Sequence, residues 1–349
     1  MTMTLDGTNG VTFNDTSLQG AAASPYVLKN RIINGAMQVW QRGTSFASTA
    51  GYTTDRWSTV GYGSFNETVS QSTSVPTVTT GNAFQYSLKM QRPASSTGTS
   101  PVLIAQCIES NNCYDLSGQT VTFSFWAKAG ANFSGTNLNA QVYTGTGADQ
   151  GITSYTTWTG VAVPISGTLS LTTSWQRFTF TGTFGAGVLE AAVFIFYSPT
   201  GTAGADDSVF ITGVQLEQNT VATPFERRMY TTEYQLCQRY LPATAAIGGS
   251  GEQGGQLLWI SSTTGWGTFI PIVQPRVVPT GFTGTNTEIT VRASASSNTV
   301  CSAVSYAGAG LSQFLFNVTI GSAAGVANAS GFWYLNTTGA KVLWTGCEL

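Results

Sequence analysis

Histidine is missing from this chain altogether, and charge is scarce. Asp, Glu, Lys and Arg make up 9% of its 349 residues, against roughly 25% in an ordinary soluble protein. The first absence removes the commonest general base and metal ligand, and with them any Ser-His-Asp arrangement. The second, with a formal net charge of −2, leaves no Lys/Arg face of the kind nucleic acid selects. Long apolar runs are absent too. None approaches the roughly 18–20 residues of a spanning helix, so no membrane insertion is expected. Cysteine is sparse and odd in number: Cys107, Cys113, Cys237, Cys301 and Cys347 have no metal-type spacing. Cys107 and Cys113 are close enough for a short-loop disulfide, but free thiols packed as small hydrophobes are the expected state. The opening Met1–Gly10 carries neither the basic nor the apolar stretch of a secretory signal, so folding in a cytosol is expected.

What fills the space is glycine (40 residues), Thr and Ser, with 42% hydrophobic and 12% aromatic content. That is enough apolar matter to fold, and the length suits about two domains. From Leu28 to about Pro224 short alternating runs recur between Gly/Ser/Thr/Asn clusters, as in Val121–Ala127, Asn139–Tyr143 and Ala191–Tyr197. In the first of these, Val121, Phe123 and Phe125 share one face and Thr122, Ser124 and Trp126 the other. Many strands without a helical period predict an all-β chain: an antiparallel jelly-roll β-sandwich over 26–224. One segment breaks the pattern. Tyr230, Tyr234, Cys237 and Leu241 fall at helical spacing, with Thr231 or Thr232 to cap the start and Pro242 to end it. This predicts a connecting helix in 225–241, its stripe either intrachain core or a trimer contact with Arg227, Arg228 and Arg239 outward. Gly-rich residues 242–255 read as a linker. Residues 256–349 return to strands, including Thr268–Val273, and predict a smaller C-terminal β-sandwich. Residues 1–25, with one strand-like stretch at Gly10–Phe13 and a turn at Asn14-Asp15, read as an attachment arm.

Three blocks carry a resemblance: Lys29–Ser45 (KNRIINGAMQVWQRGTS) with Gly51–Trp57 (GYTTDRW); Leu116–Ala129 (LSGQTVTFSFWAKA); and Val214–Glu217 (VQLE), Ala222–Arg228 (ATPFERR) and Glu233–Tyr240 (EYQLCQRY). In this order they resemble bacteriophage tail-fibre and receptor-binding proteins over about residues 29–241. Gly10–Gln19 is similar to the peptide such fibres carry before the main domain, with Asn14 where a proline is usual. The resemblance implies a carbohydrate-binding-module-like jelly roll, a β-rich tip, a homotrimer, and a virion protein at the tail tip or fibre. It implies further partners: another virion protein through residues 1–25, and bacterial surface polysaccharide. A head fibre or capsid decoration built on the same module is the alternative.

Glycoside hydrolysis needs a carboxylate pair. Asp206 and Asp207 are adjacent and point to opposite faces of a strand, and Glu109 and Asp115 flank Cys113. No catalytic residue is assigned and the expected protein is not an enzyme. No motif requires a cofactor; the resemblance implies a structural calcium at Asp206 or Asp207, near Asn34 or Gly35, while the bland reading is a turn. Asp55-Arg56-Trp57 reads as a fold-organising cluster, with Arg56 paired to Asp55 and stacked on Trp57. Sugar binding needs flat rings beside amides and hydroxyls. Tyr155 and Trp158, in the polar Thr144–Thr159 stretch, and Trp266, between Gly265 and Gly267, are the glycan-binding candidates. For Trp266 a subunit interface is the competing role. Trp333, Tyr334 and Trp344 read as core or interface.

Overall fold

The computed structural model describes residues 4–6, 10–12, 18–19, 28–47, 51–59, 67–77, 83–245, 252–284, 286–294, 297–323 and 325–349. Its first strands, β1 (Thr4–Asp6), β2 (Gly10–Thr12) and β3 (Leu18–Gln19), form a small antiparallel meander. The strand expected at Gly10 is there; the Asn14-Asp15 turn lies outside the described residues.

Two six-stranded sheets follow. One holds β4 (Ser45–Ala47), β7 (Thr68–Ser72), β8 (Ser87–Gln91), β10 (Thr120–Ala129), β13 (Gln176–Thr183) and β15 (Ser208–Gln218). The other holds β5 (Gly51–Tyr52), β6 (Ser58–Thr59), β9 (Val102–Ile108), β11 (Leu138–Gly145), β12 (Ala162–Leu169) and β14 (Glu190–Tyr197). From β8 onward the chain shuttles between them, giving the orders β8-β15-β10-β13 and β9-β14-β11-β12. That interleaving is a jelly roll. Val121, Phe123 and Phe125 face Val142, Ile165, Val193 and Ile195 in one buried cluster. Each such side chain contributes about 1.5–3 kcal/mol on burial.

The second sheet is covered on its outer face as well. Every residue of β9 is buried, because helix α1 (Tyr230–Gln238), the 3-10 turn Ile152–Thr157 and Leu349 lie over it. The helix begins one residue before its expected caps: Met229 is the N-cap, with no side-chain cap bond. Cys237 joins the cluster on β9 and Leu241 a small one with Ala243 and Leu343, so that end of the stripe is intrachain core. Tyr230 instead stays exposed. Arg228 is not outward but pairs with Glu226 and Glu233, and Arg239 pairs with Glu109. The helix thus connects the two β units while bound along the sandwich.

The expected linker contains structure. Strand β16 (Ala243–Ala245) pairs with β24 (Lys341–Thr345), which pairs in turn with β19 (Gly281–Thr283). Strand β17 (Glu252–Trp259) begins inside the Gly-rich stretch, and 246–251 lie outside the described residues.

The C-terminal unit is β, but not a second sandwich. Strand β17 and strands β18 (Thr264–Phe269), β20 (Ile289–Ser294), β21 (Ser297–Ala309), β22 (Phe314–Ile320) and β23 (Ser330–Leu335) close into a barrel, in the order β17-β18-β22-β21-β20-β23. Register shifts at Gln253/Gly255, Arg292/Ser294, Cys301/Ala303 and Tyr306/Gly308 bend the strands, and bending with extra twist is what closure needs. Trp259, Phe316, Trp333 and Trp344 fill the interior. Trp344, on β24, stacks on Phe269 at 4.1 Å, so the small sheet packs against the barrel core. The strand expected over Thr268–Val273 lies earlier: β18 stops at Phe269 because Pro271, Pro275 and Pro279 cannot donate to a ladder.

Candidate functional site

The most recognisable sequence blocks turn out to tie the fold together. Asn34, at φ +57°, donates through Nδ2 to the carbonyls of Val39 and Asp55, and its Oδ1 accepts from the Gln38 and Val39 N–H groups. Trp57 donates its indole N–H to the Asn34 carbonyl at 3.1 Å. Asp55 accepts from the backbone and the side chain of Gln41, both at 2.6 Å. Arg56 pairs not with its neighbour Asp55 but with Glu348, and it stacks on Tyr240, not Trp57, with 3.5 Å to the ring centroid. Backbone geometry explains the miss. Arg56 takes φ +71°, which turns its side chain away from both sequence neighbours.

Asp206 and Asp207 are likewise committed. The Asp207 carboxylate accepts from Arg92 at 2.6 Å and from the Ser134 hydroxyl and N–H at 2.7 and 2.9 Å. Asp206 accepts from the Ala131 N–H and the Ser208 hydroxyl and pairs with Lys89. Burial works against its charge, but these partners outweigh it and hold its pKa below the ordinary carboxylate value. No hydrogen bond of the described residues joins them to Asn34 or Gly35, and the Gly35 carbonyl accepts from the Val214 N–H. Carboxylates already facing Lys and Arg do not fit calcium, which takes six to eight oxygen ligands. Among the described residues no group of three His, Cys, Asp or Glu could hold a metal. Glu109 and Asp115 face Arg239 and Arg31. The five cysteines are buried and free, and burial pushes the Cys113 thiol up to about 12.

An uncharged aromatic cleft remains, on the outer face of the second sheet where the helix leaves it open. Pairing places Asn139 beside Phe196 and Leu103 in one cross-strand row, and Gln141 beside Phe194 and Ala105 in the next. Ser166 and Thr168 of β12 extend these rows on the far side. The cleft, of about 190 Å³, is lined by Pro101, Leu103, Gln141, Tyr143, Tyr155, Phe194 and Phe196. Phe194 is its floor. Tyr155 lies over that ring at 4.3 Å between centroids, and Tyr143 meets both edge-on at 4.8 and 5.1 Å. The Tyr143 hydroxyl donates to Gln141 Oε1, and Gln141 Nε2 donates to Ser166. A chain of amide and hydroxyl groups thus runs beside flat apolar rings, with no charged side chain in the lining. Glu190, on the same strand as Phe194 and Phe196, is buried and accepts from the Gln150 N–H, and burial raises its pKa.

Of the three glycan candidates, Tyr155 belongs to this cleft, although only 8% of it is exposed. Trp158 does not. It is 3% exposed, and its indole N–H donates to the Gly151 carbonyl, which makes it the anchor of the 150–159 loop. Trp266 is 44% exposed as expected, but on a strand and not in a loop. Strand alternation turns it outward while Gly265 and Gly267 point in, and a Cβ on Gly267 would sit 2.3 Å from the Phe316 ring. Leu258, paired with Trp266, is exposed beside it. Trp333 and Trp344 are barrel core. The cleft residues Tyr143, Phe194 and Phe196 were missed because they share strands with core residues, and only the pairing register brings them together.

No family model matches the sequence, and no curated protein matches it. Distant structural likenesses exist. The enzymatically active domain of tailspike protein 4 of bacteriophage CBA120 is 18% identical over 57% of this chain, with a TM-score of 0.39. The match spans 22% of the tailspike's own length. A family 4 carbohydrate-binding module is 20% identical over 53% of this chain and 98% of its own, at a TM-score of 0.32. The module TmCBM61, solved with β-1,4-galactotriose, is 14% identical over 54% and 99%, at 0.31.

Proposed function

We propose that this chain is a non-enzymatic virion protein, a phage tail-fibre or tail-tip receptor-binding protein that recognises bacterial surface glycan. The cleft on the second sheet is the observation that carries the glycan reading. A pyranose ring offers C–H groups on its faces and hydroxyls around its rim. The cleft offers rings of Tyr143, Tyr155, Phe194 and Phe196 for the one, and Gln141, Ser166 and Asn139 for the other. The phage setting rests on the sequence blocks between residues 29 and 241. In this reading residues 1–25 attach the chain to the particle, three copies assemble together, and the barrel, with Trp266 outward, forms a second contact surface.

Binding of the purified chain to host-cell polysaccharide, followed by calorimetry, tests the cleft. Phe196→Ala and Tyr143→Ala should each weaken binding by about 2 kcal/mol, roughly thirty-fold, with the far-UV circular dichroism unchanged. Full binding by both variants overturns the assignment of the cleft. Sedimentation of the parent as a monomer at micromolar concentration overturns the trimer.

A further inference from the structure

A second cavity, of about 210 Å³, lies where the helix, the sandwich and the small sheet meet. Its walls come from both β units. Trp40 and Gln41 precede the first sheet, Tyr230 and Tyr234 stand on α1, Thr244 on β16 and Lys341 on β24. The two tyrosines, one helical turn apart, stack with centroids 6.0 Å apart at 21°. Tyr230 is 58% exposed, which an intrachain core residue would not be. The Trp40 indole is fixed by donation to the Met37 carbonyl. The one cationic group in the lining is the Lys341 ammonium. It donates to the carbonyls of Gln41 and Arg42, at 3.1 and 2.6 Å, and makes no ion pair among those of the described residues. An ammonium carries three donors, so one N–H is left for a ligand, and no carboxylate of the described residues pairs with the charge. Aromatic walls, the Thr244 hydroxyl and a cation without a counter-ion define the ligand: a ring with apolar faces, polar rim groups and a negative charge.

We propose that this junction cavity is a binding site for an acidic sugar unit, its ring against the Tyr230–Tyr234 pair and its carboxylate on Lys341. The site is separate from the uncharged cleft and does not depend on it. One opposing group is near. Asp55 lies behind Gln41, which covers both carboxylate oxygens with N–H donors. Its burial raises its pKa, and Arg42 acts against that. Because helix, sandwich and barrel unit each contribute a wall, the site exists only in the assembled chain.

The test uses the full chain, α-1,4-linked tri-galacturonate and its methyl ester, which keeps ring and linkage but removes the charge. Calorimetry should show the acid binding at least about tenfold more tightly than the ester, with the difference shrinking in about 0.5 M salt as the Lys341 charge is screened. Tyr230→Ala and Lys341→Met should each weaken the acid by about tenfold or more, while Lys341→Arg stays within about threefold. Phe196→Ala should leave acid binding unchanged, since it alters only the other cleft. Equal affinity for acid and ester overturns the proposal. So does no binding of the acid at about 10 mM, or full binding by Tyr230→Ala. If Lys341→Met fails to fold through loss of its carbonyl contacts, Tyr230→Ala and Lys341→Arg still decide the matter.

Discussion

Asp55 shows what a single residue does in this fold. It is buried and makes no ion pair among the described residues, its oxygens held by the two Gln41 donors. Burial, resisted by Arg42 and Gln41, keeps its pKa above the ordinary carboxylate value. When a folded pKa is raised, the unfolded chain releases its proton first as pH increases. The group's contribution is therefore greatest below the unfolded pKa of about 3.9, and it is lost as pH climbs through the folded value. Urea titrations of the parent and Asp55→Asn between about pH 4 and 7 should show the parent's advantage over the variant shrinking with pH. A constant difference would mean that Asp55 titrates as an ordinary surface acid. The same residue marks a limit of sequence reading. The Asp55-Arg56-Trp57 cluster was legible as a fold-organising group, yet its partners were not. Glu348 lies 292 positions from Arg56, and nothing local encodes that distance.

Elements declared themselves in proportion to how regularly apolar and polar residues alternate along them. Strand β10 was plain because Val121, Phe123 and Phe125 alternate with Thr122 and Ser124. Strand β9 was not, because core on one side and helix α1 on the other bury all seven residues and erase the alternation. The helix was legible by its spacing, but Tyr230 and Leu241 of one apparent stripe have opposite fates, since only the C-terminal end is packed on both sides. The exposure of Trp266 was expected for the wrong reason. Its glycines looked like turn residues; they are glycines because Phe316 and Leu257 occupy the space where a Cβ would stand. Gly267→Ala should therefore destabilise the barrel by about 1–3 kcal/mol through overpacking, measured as a lower urea midpoint. A variant as stable as the parent would show that Phe316 can move aside at little cost.

At the scale of the whole molecule, two β units that look separable in sequence are interlocked. Glu348 pairs with Arg42 and Arg56, Arg276 holds the Cys347 and Glu348 carbonyls and pairs with Asp149, and Leu349 enters the sandwich's outer cluster. Lysine cannot both pair with Glu348 and lie flat on Tyr240 as the guanidinium does. Arg56→Lys should cost about 2–3 kcal/mol and split one unfolding transition into two, sandwich and barrel melting apart in calorimetry. A single transition of unchanged midpoint would show that the lock adds little to the strand ladders.

The Arg56–Glu348 pair also sets a clock. A ribosome adding about 5–20 residues per second takes about 15–60 s to travel from one partner to the other. For that interval Arg56 has neither its carboxylate nor, until residue 240 emerges, the ring it lies on. The jelly roll can form its ladders early, and α1 can cover β9 once residue 240 has emerged, but the outer cluster is completed only by Leu349. Completion of the sandwich's outer cluster is thereby tied to synthesis of the barrel.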